Sequence, residues 1–156
     1  MANVKITELA ALTTTDDATD VIAVVDVSAD ATKKISVANL VTAQARTYTA
    51  AQRGEITTLT DGANISVDLA ASNNFSATLA GNRTLDNPTN IVAGQSGSIF
   101  IVQDATGSRT LAYGTYYDFA GGTAPTLSTA ADAVDRIDYL VRSATSIHCV
   151  FTANYS

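Results

Sequence analysis

Leu79 to Tyr113 reads LAGNRTLDNPTNIVAGQSGSIFIVQDATGSRTLAY. Inside it, Ser98-Ile99-Phe100-Ile101-Val102-Gln103 is a short, nearly continuous apolar run. Turn chemistry closes it on both sides: Asn87-Pro88-Thr89-Asn90 and Gly94-Gln95-Ser96-Gly97 before it, Asp104-Ala105-Thr106-Gly107-Ser108 after it. A run of this length between Gly, Asn and Asp is a buried strand rather than a helical segment. Its β-branched and aromatic side chains fill a pleated surface, and its flanks supply the backbone freedom that a reversal needs. The chain then returns through Arg109-Thr110-Leu111-Ala112-Tyr113. Two strands alone are marginal in water, so others must cover them.

Those others lie on both sides. Towards the N-terminus, Ile65, Val67 and Leu69 alternate with polar residues, Asn73-Asn74 turns the chain, and Phe75, Ala77 and Leu79 alternate again. This pattern predicts an antiparallel hairpin. Towards the C-terminus, Tyr116, Tyr117 and Phe119 precede the loop Gly121-Gly122-Thr123-Ala124-Pro125. A turn at Ala131 to Ala133 leads to Arg136–Arg142 and Thr145–Phe151, the last two strands, joined through Ser143-Ala144. Strands at intervals of about eight to twelve residues, with Gly and Pro kept to turns, predict a mainly β chain with an antiparallel β-sandwich or jelly-roll-like domain over 61–156.

Residues 1–45 read differently. They form a small extended N-terminal β arm with a short helix. Asn3–Leu9 is extended, with Ile6, Leu9 and Leu12 as its large apolar side chains after Val4, and TTTDDATD is a polar loop. Val21–Val27 and Lys33–Val37 are the two halves of a hairpin, and Val37, Leu40 and Val41 fall on one face of the short helix. So few large side chains bury little surface, so this module should dock onto a neighbour, with Ile6, Leu9 and Leu12 as the docking residues. Residues 46–60 are a connector, with a turn of helix expected over Thr49–Arg53, a break at Gly54 and a strand over Glu55–Leu59.

Composition narrows the function classes. The 156 residues are 46% hydrophobic and only 15% charged, with a formal net charge of -6. That suits a β-rich protein with much surface in contacts and excludes a disordered chain. No lysine follows Lys34, so no basic patch is available to displace counterions from a nucleic acid. No apolar run approaches the roughly 18 residues of a membrane-spanning helix, and the N-terminus is too polar for a signal peptide. Cys149 is the single cysteine, which rules out an internal disulfide, and its alternation with Ile147 and Phe151 makes it a small buried residue.

No constellation of residues supports catalysis, a cofactor or a metal. His148, the only histidine, has no acid or nucleophile spaced to assist it. Asp16, Asp17 and Asp20 lack the spacing and closing glutamate of a calcium loop. Asp135 and Asp138 read as surface charge. Gly94-Gln95-Ser96-Gly97 has neither the lysine nor the helix of a phosphate loop. Tyr113, Tyr116, Tyr117 and Phe119 admit two readings: they plug the end of a sandwich, the favoured one, or they form an interface or glycan-stacking patch.

NVKITEL, DVIAVVDV and KKISVANL together resemble a module found at the N-terminus of tailed-bacteriophage structural proteins. TYTAAQRGEITTLTDGANISVDLAASNNFSATLAGNRTLDNPTN, GQSGSIFIVQD, GSRTLAYG and FAGGTAPTLSTAADAVDRIDYLVRS are similar to a β domain of phage tail-fibre and other virion proteins. The resemblance implies a non-enzymatic structural protein of the virion, a homotrimer assembled in the bacterial cytoplasm, with no cofactor and no nucleic-acid or membrane partner. It leaves two stations. With no shaft or repeat before Ser156, the expectation is a capsid decoration, or cement, protein that binds the major capsid protein and stabilises the head lattice. The alternative is a short tail-fibre or baseplate component that joins a tail protein and recognises a host surface glycan.

Overall fold

The computed structural model describes residues 21–26, 31–36 and 49–155. The chain divides into two units, residues 1–52 and 53–156. In the first, β1 (Val21–Asp26) and β2 (Ala31–Ser36) pair antiparallel, from Val21 opposite Ser36 to Asp26 opposite Ala31. The expected short helix and the docking residues Ile6, Leu9 and Leu12 lie outside the described residues. The turn of helix expected over Thr49–Arg53 does not form: there is no helix at 49–55.

The second unit is mainly β, but its sheets are mixed rather than antiparallel. Its strands are β3 (Ile56–Thr58), β4 (Asn64–Ile65), β5 (Asn74–Leu79), β6 (Arg83–Leu85), β7 (Ser96–Gln103), β8 (Leu111–Tyr113), β9 (Tyr117–Phe119), β10 (Val134–Ser143) and β11 (Ser146–Thr152). A six-stranded sheet runs β3-β5-β7-β10-β11-β9 and a three-stranded sheet runs β4-β6-β8. From β3 to β8 the chain alternates between the two sheets, and each strand lies parallel to the one two places earlier. This is a winding: β3 with β4, β5 with β6 and β7 with β8 make three successive coils. A third side is marked by the parallel bridge between Asp68 and Thr89.

The antiparallel hairpin expected from 65–69 and 75–79 is therefore replaced by two parallel layers. Ile65 pairs with Leu85 in one sheet, and Phe75 pairs with Ile99 in the other. Likewise β7 and β8, expected to face each other, belong to different sheets. Alternation of apolar and polar residues records only that one face of a strand is buried. It holds equally for a coil of a winding and for an arm of a hairpin.

Stacking of equivalent positions builds the core. Across the large sheet, Thr57, Phe75, Ile99, Ile137 and Phe151 occupy one inward ladder. Across the small sheet, Ile65, Leu85 and Tyr113 occupy another. The two ladders meet in a single apolar cluster, in which Ile65, Phe75, Ala77, Leu79, Leu85 and Ile137 are wholly buried. Full burial of such side chains is worth roughly 1.5–3 kcal/mol each against exposure. The winding ends where β10 joins β7 antiparallel and β11 follows antiparallel to β10, and β9 then adds to the far edge parallel to β11.

Candidate functional site

The phrases that stand out in the sequence turn out to be coil-to-coil ties. Arg83 Nε and Nη2 donate to Asp61 Oδ1 (2.8 Å) and Oδ2 (2.6 Å), and that pairing holds the Asp61 carboxyl below its usual range. Asn64 Nδ2 donates to both oxygens of Asp86, Asn90 Nδ2 donates to Asp68 Oδ1 (2.7 Å), and Gln95 Nε2 donates to Asn73 Oδ1 (2.9 Å). Each of these four pairs is separated by 22 residues, slightly more than the first turn of the winding, in which Ile56 pairs with Asn74, Asn64 with Thr84 and Asp68 with Thr89. The next turn is wider: Asn82 Oδ1 accepts from Thr110 N across 28 residues and Asn87 Oδ1 from Tyr116 N across 29. Two coils approach closely at Gly97, since a Cβ there would run into the Asn73 carbonyl oxygen. GNRTL, NPTN and GQSG thus serve the fold, and Gly97 answers to that approach rather than to a strand-leading turn alone.

The aromatic group sits at the β8–β9 end. Tyr117 is buried and its hydroxyl donates to the Asp86 carbonyl (3.1 Å). Tyr113 lies half-buried, edge-on to Phe119 (4.8 Å between centroids) and to Tyr117 (6.2 Å). Burial pushes the ionisation of both tyrosines far up. The Tyr113 hydroxyl is buried and, among the described residues, has no hydrogen-bond partner. Tyr116 and Phe119 pack against the core from its margin. Tyr113, Tyr117 and Phe119 also wall a cleft of about 370 Å3 beside Gly122 and Ala124.

Cys149 is buried, with its thiol 3.4 Å from the Ile147 carbonyl oxygen and its ionisation pushed up to about 12 by burial. Asp135 corrects the surface reading: it is 1% exposed and accepts from Ser128 N, Ser128 Oγ and Asn154 N. Asp138 does face outwards, with Ser98 Oγ on Oδ1 (2.6 Å) and Arg136 Nη2 on Oδ2 (2.8 Å). Among the described residues, no group of three or more His, Cys, Asp or Glu side chains is placed to hold a metal ion, and no helix is long and apolar enough to cross a membrane.

A second concavity, larger than the tyrosine cleft, was not anticipated from the sequence. It opens on the outer face of β9, β10 and β11, with a volume of about 580 Å3, and Asp118, Asp138, Leu140, His148 and Val150 line it. Two rungs of the sheet place them. Leu140 lies opposite His148, which lies opposite Asp118; Asp138 lies opposite Val150. Leu140 and Val150 are 51% and 64% exposed on a face where polar residues are the rule. The available signal was apolar residues on both phases of the strand, as in Tyr139-Leu140-Val141 and Cys149-Val150-Phe151.

Comparison with known proteins bears on what such a domain belongs to. The family described as "Putative phage tail fibre C-terminal domain" matches residues 58–142, more than half of the chain, from the last residue of β3 through the winding and nearly all of β10. No curated protein and no solved structure matches. The chain belongs to the phage tail fibre C-terminal domain family, and is a structural protein of the phage virion.

Proposed function

We propose that this protein is a component of the phage tail, a short fibre or baseplate part, whose β domain engages the host surface by binding and not by catalysis. The observation that carries this reading is the family match over residues 58–142. It supports the tail alternative over the head-decoration role expected from the sequence. The architecture is suited to the task. A winding clipped at its corners is a rigid platform, and a rigid platform presents a binding face without the entropy cost of ordering it. The N-terminal module joins a tail protein, and the chain works as a homotrimer in the virion.

The test is copy number per particle, by quantitative mass spectrometry of purified virions against the major capsid protein, with adsorption competition by the purified chain. A few copies per virion, with purified protein slowing adsorption, is the expected result. A ratio near that of the shell subunits overturns the reading in favour of head decoration. Loss of polymer viscosity on incubation with a host polysaccharide would replace binding with depolymerisation.

A further inference from the structure

We infer that residues 120–126 form a strap that opens locally while the rest of the β domain stays folded, and that its opening uncovers an apolar slot walled by Phe119, Cys149 and Phe151. The inference concerns the fold of the domain and holds whichever station in the virion the protein occupies.

Three observations carry it. The strap is fixed at its two ends and not between them. At its start, Phe119 lies opposite Cys149 in the ladder of β9 and β11 and meets the Tyr113 ring edge-on. At its end, Leu127 is buried, Ser128 N and Oγ donate to Asp135 (2.7 Å each), and the Thr129 carbonyl accepts from Ser108 N (2.9 Å). Among the described residues, none of residues 123–127 is hydrogen-bonded to another segment of the chain. The strap is also loosely seated. Ala120, Thr123 and Pro125 share a cavity of about 250 Å3 with Phe119, Cys149 and Phe151. Pro125, Thr126 and Leu127 border another of about 170 Å3 beside Leu111, and Gly122 and Ala124 edge the tyrosine cleft. Close-packed interiors leave few such voids, so a segment lying over them gives up little contact when it lifts. Finally, a hinge is present. Gly121 and Gly122 take φ of 77° and 71°, and a Cβ on either would meet nothing within 4 Å, so both sit in the left-handed region with room to turn.

Cys149 makes the motion measurable. It is the only cysteine, it is 4% exposed, and burial keeps its thiol protonated. Only the thiolate reacts, so a thiol reagent reads how often the strap is away. Cys149 also borders the outer concavity, which offers a second approach. A change at Gly122 separates the two, because it acts on the strap and not on the outer face. An alanine at a φ of 71° is strained while the strap is seated and relaxes when it lifts, so Gly122→Ala shifts the population towards the open form.

The experiment is the labelling of Cys149 in the full-length chain by an aromatic disulfide reagent, whose released thiolate is read by absorbance, at rising urea below the unfolding transition. Local opening predicts a rate independent of urea at low concentration, and faster than global unfolding allows by about tenfold or more. Gly122→Ala should raise that rate about tenfold. Gly94→Ala is the matched control, at a φ of 91° on the turn before β7: it should lower the melting temperature and leave the labelling rate in place. A rate that climbs with urea as steeply as unfolding itself, or no labelling below the transition, overturns the strap by showing that Cys149 is reached only through the unfolded chain. A rate unchanged by Gly122→Ala, or raised equally by Gly94→Ala, overturns it by showing that the opening lies elsewhere.

Discussion

In the wound half, β3 to β8, strands that touch are parallel and one coil apart in sequence; in the closing half, β10 and β11 are antiparallel and joined by two residues. The two halves solve the same problem by different means. A parallel neighbour is reached only through corners, and each corner leaves backbone groups that no ladder satisfies. The wound half ties those corners with side chains: Arg83 to Asp61, Asn90 to Asp68, Asn87 to Tyr116 N, Gln95 to Leu69 O. The hairpin satisfies its backbone through its own ladder, which leaves Leu140 and Val150 exposed on its outward side, and that is where the groove lies.

This contrast is most severely tested at Gly97. Gly97→Ala drives a methyl into the Asn73 carbonyl and should cost about 4 kcal/mol or more, a fall of roughly 20 °C in melting temperature for a domain of this size. Gly94→Ala is its control. A Cβ at Gly94 meets nothing within 4 Å, so only its φ of 91° opposes the change, at about 1–2 kcal/mol.

Next comes Gln103, 1% exposed at the inward end of β7, whose amide pairs with both the N–H (2.8 Å) and the C=O (2.9 Å) of Arg109. Gln103→Leu strands both groups and should destabilise by about 2 kcal/mol in urea unfolding. Tyr113→Phe has the opposite sign. It removes a buried hydroxyl that has no partner among the described residues, and should raise stability by up to about 1 kcal/mol; a loss would mean that the hydroxyl is paired in solution.

The ties of the wound half also make it sensitive to acid. The carboxyls of Asp61, Asp68 and Asp104 are all held low, chiefly by hydrogen bonds from Arg83, Asn90 and Arg109 in turn. A carboxyl whose folded pKa is depressed contributes stability that is present above its unfolded value, here 3.8, and lost as the pH falls through the folded one. Thermal melts from pH 6 downwards should therefore lose stability below about pH 4, and Asp61→Asn with Asp104→Asn should flatten that loss. The smallest effect belongs to the outer face, where Val150→Ser should change stability by no more than about 0.5 kcal/mol. A larger loss would show that the face is covered.

How much of this was legible beforehand differs by level. Ile65, Val67, Leu69, Phe75, Ala77 and Leu79 were readable as inward residues and are all buried. The β10–β11 hairpin was readable, because two residues between alternating strands leave no other neighbour. The winding was not. Its coils share no repeated motif, and the 22-residue separation shows only once Asp61 and Arg83, or Asp68 and Asn90, are seen in contact. Asp135 was misread because burial of a carboxylate depends on Ser128 and Asn154, which reach it from other segments.

The sequence by itself determined that the chain is mainly β, which side chains face inwards, where it turns, and which family it belongs to. Those properties follow from local alternation, turn residues and motif. Tertiary structure alone decided strand direction, the sharing of two sheets by successive segments, and the meeting of Asp118 with His148 and of Asp138 with Val150 on one outer face. Alternation says which face of a strand is buried. Which strand lies beside it is set by corner geometry and by polar ties between residues far apart in the chain.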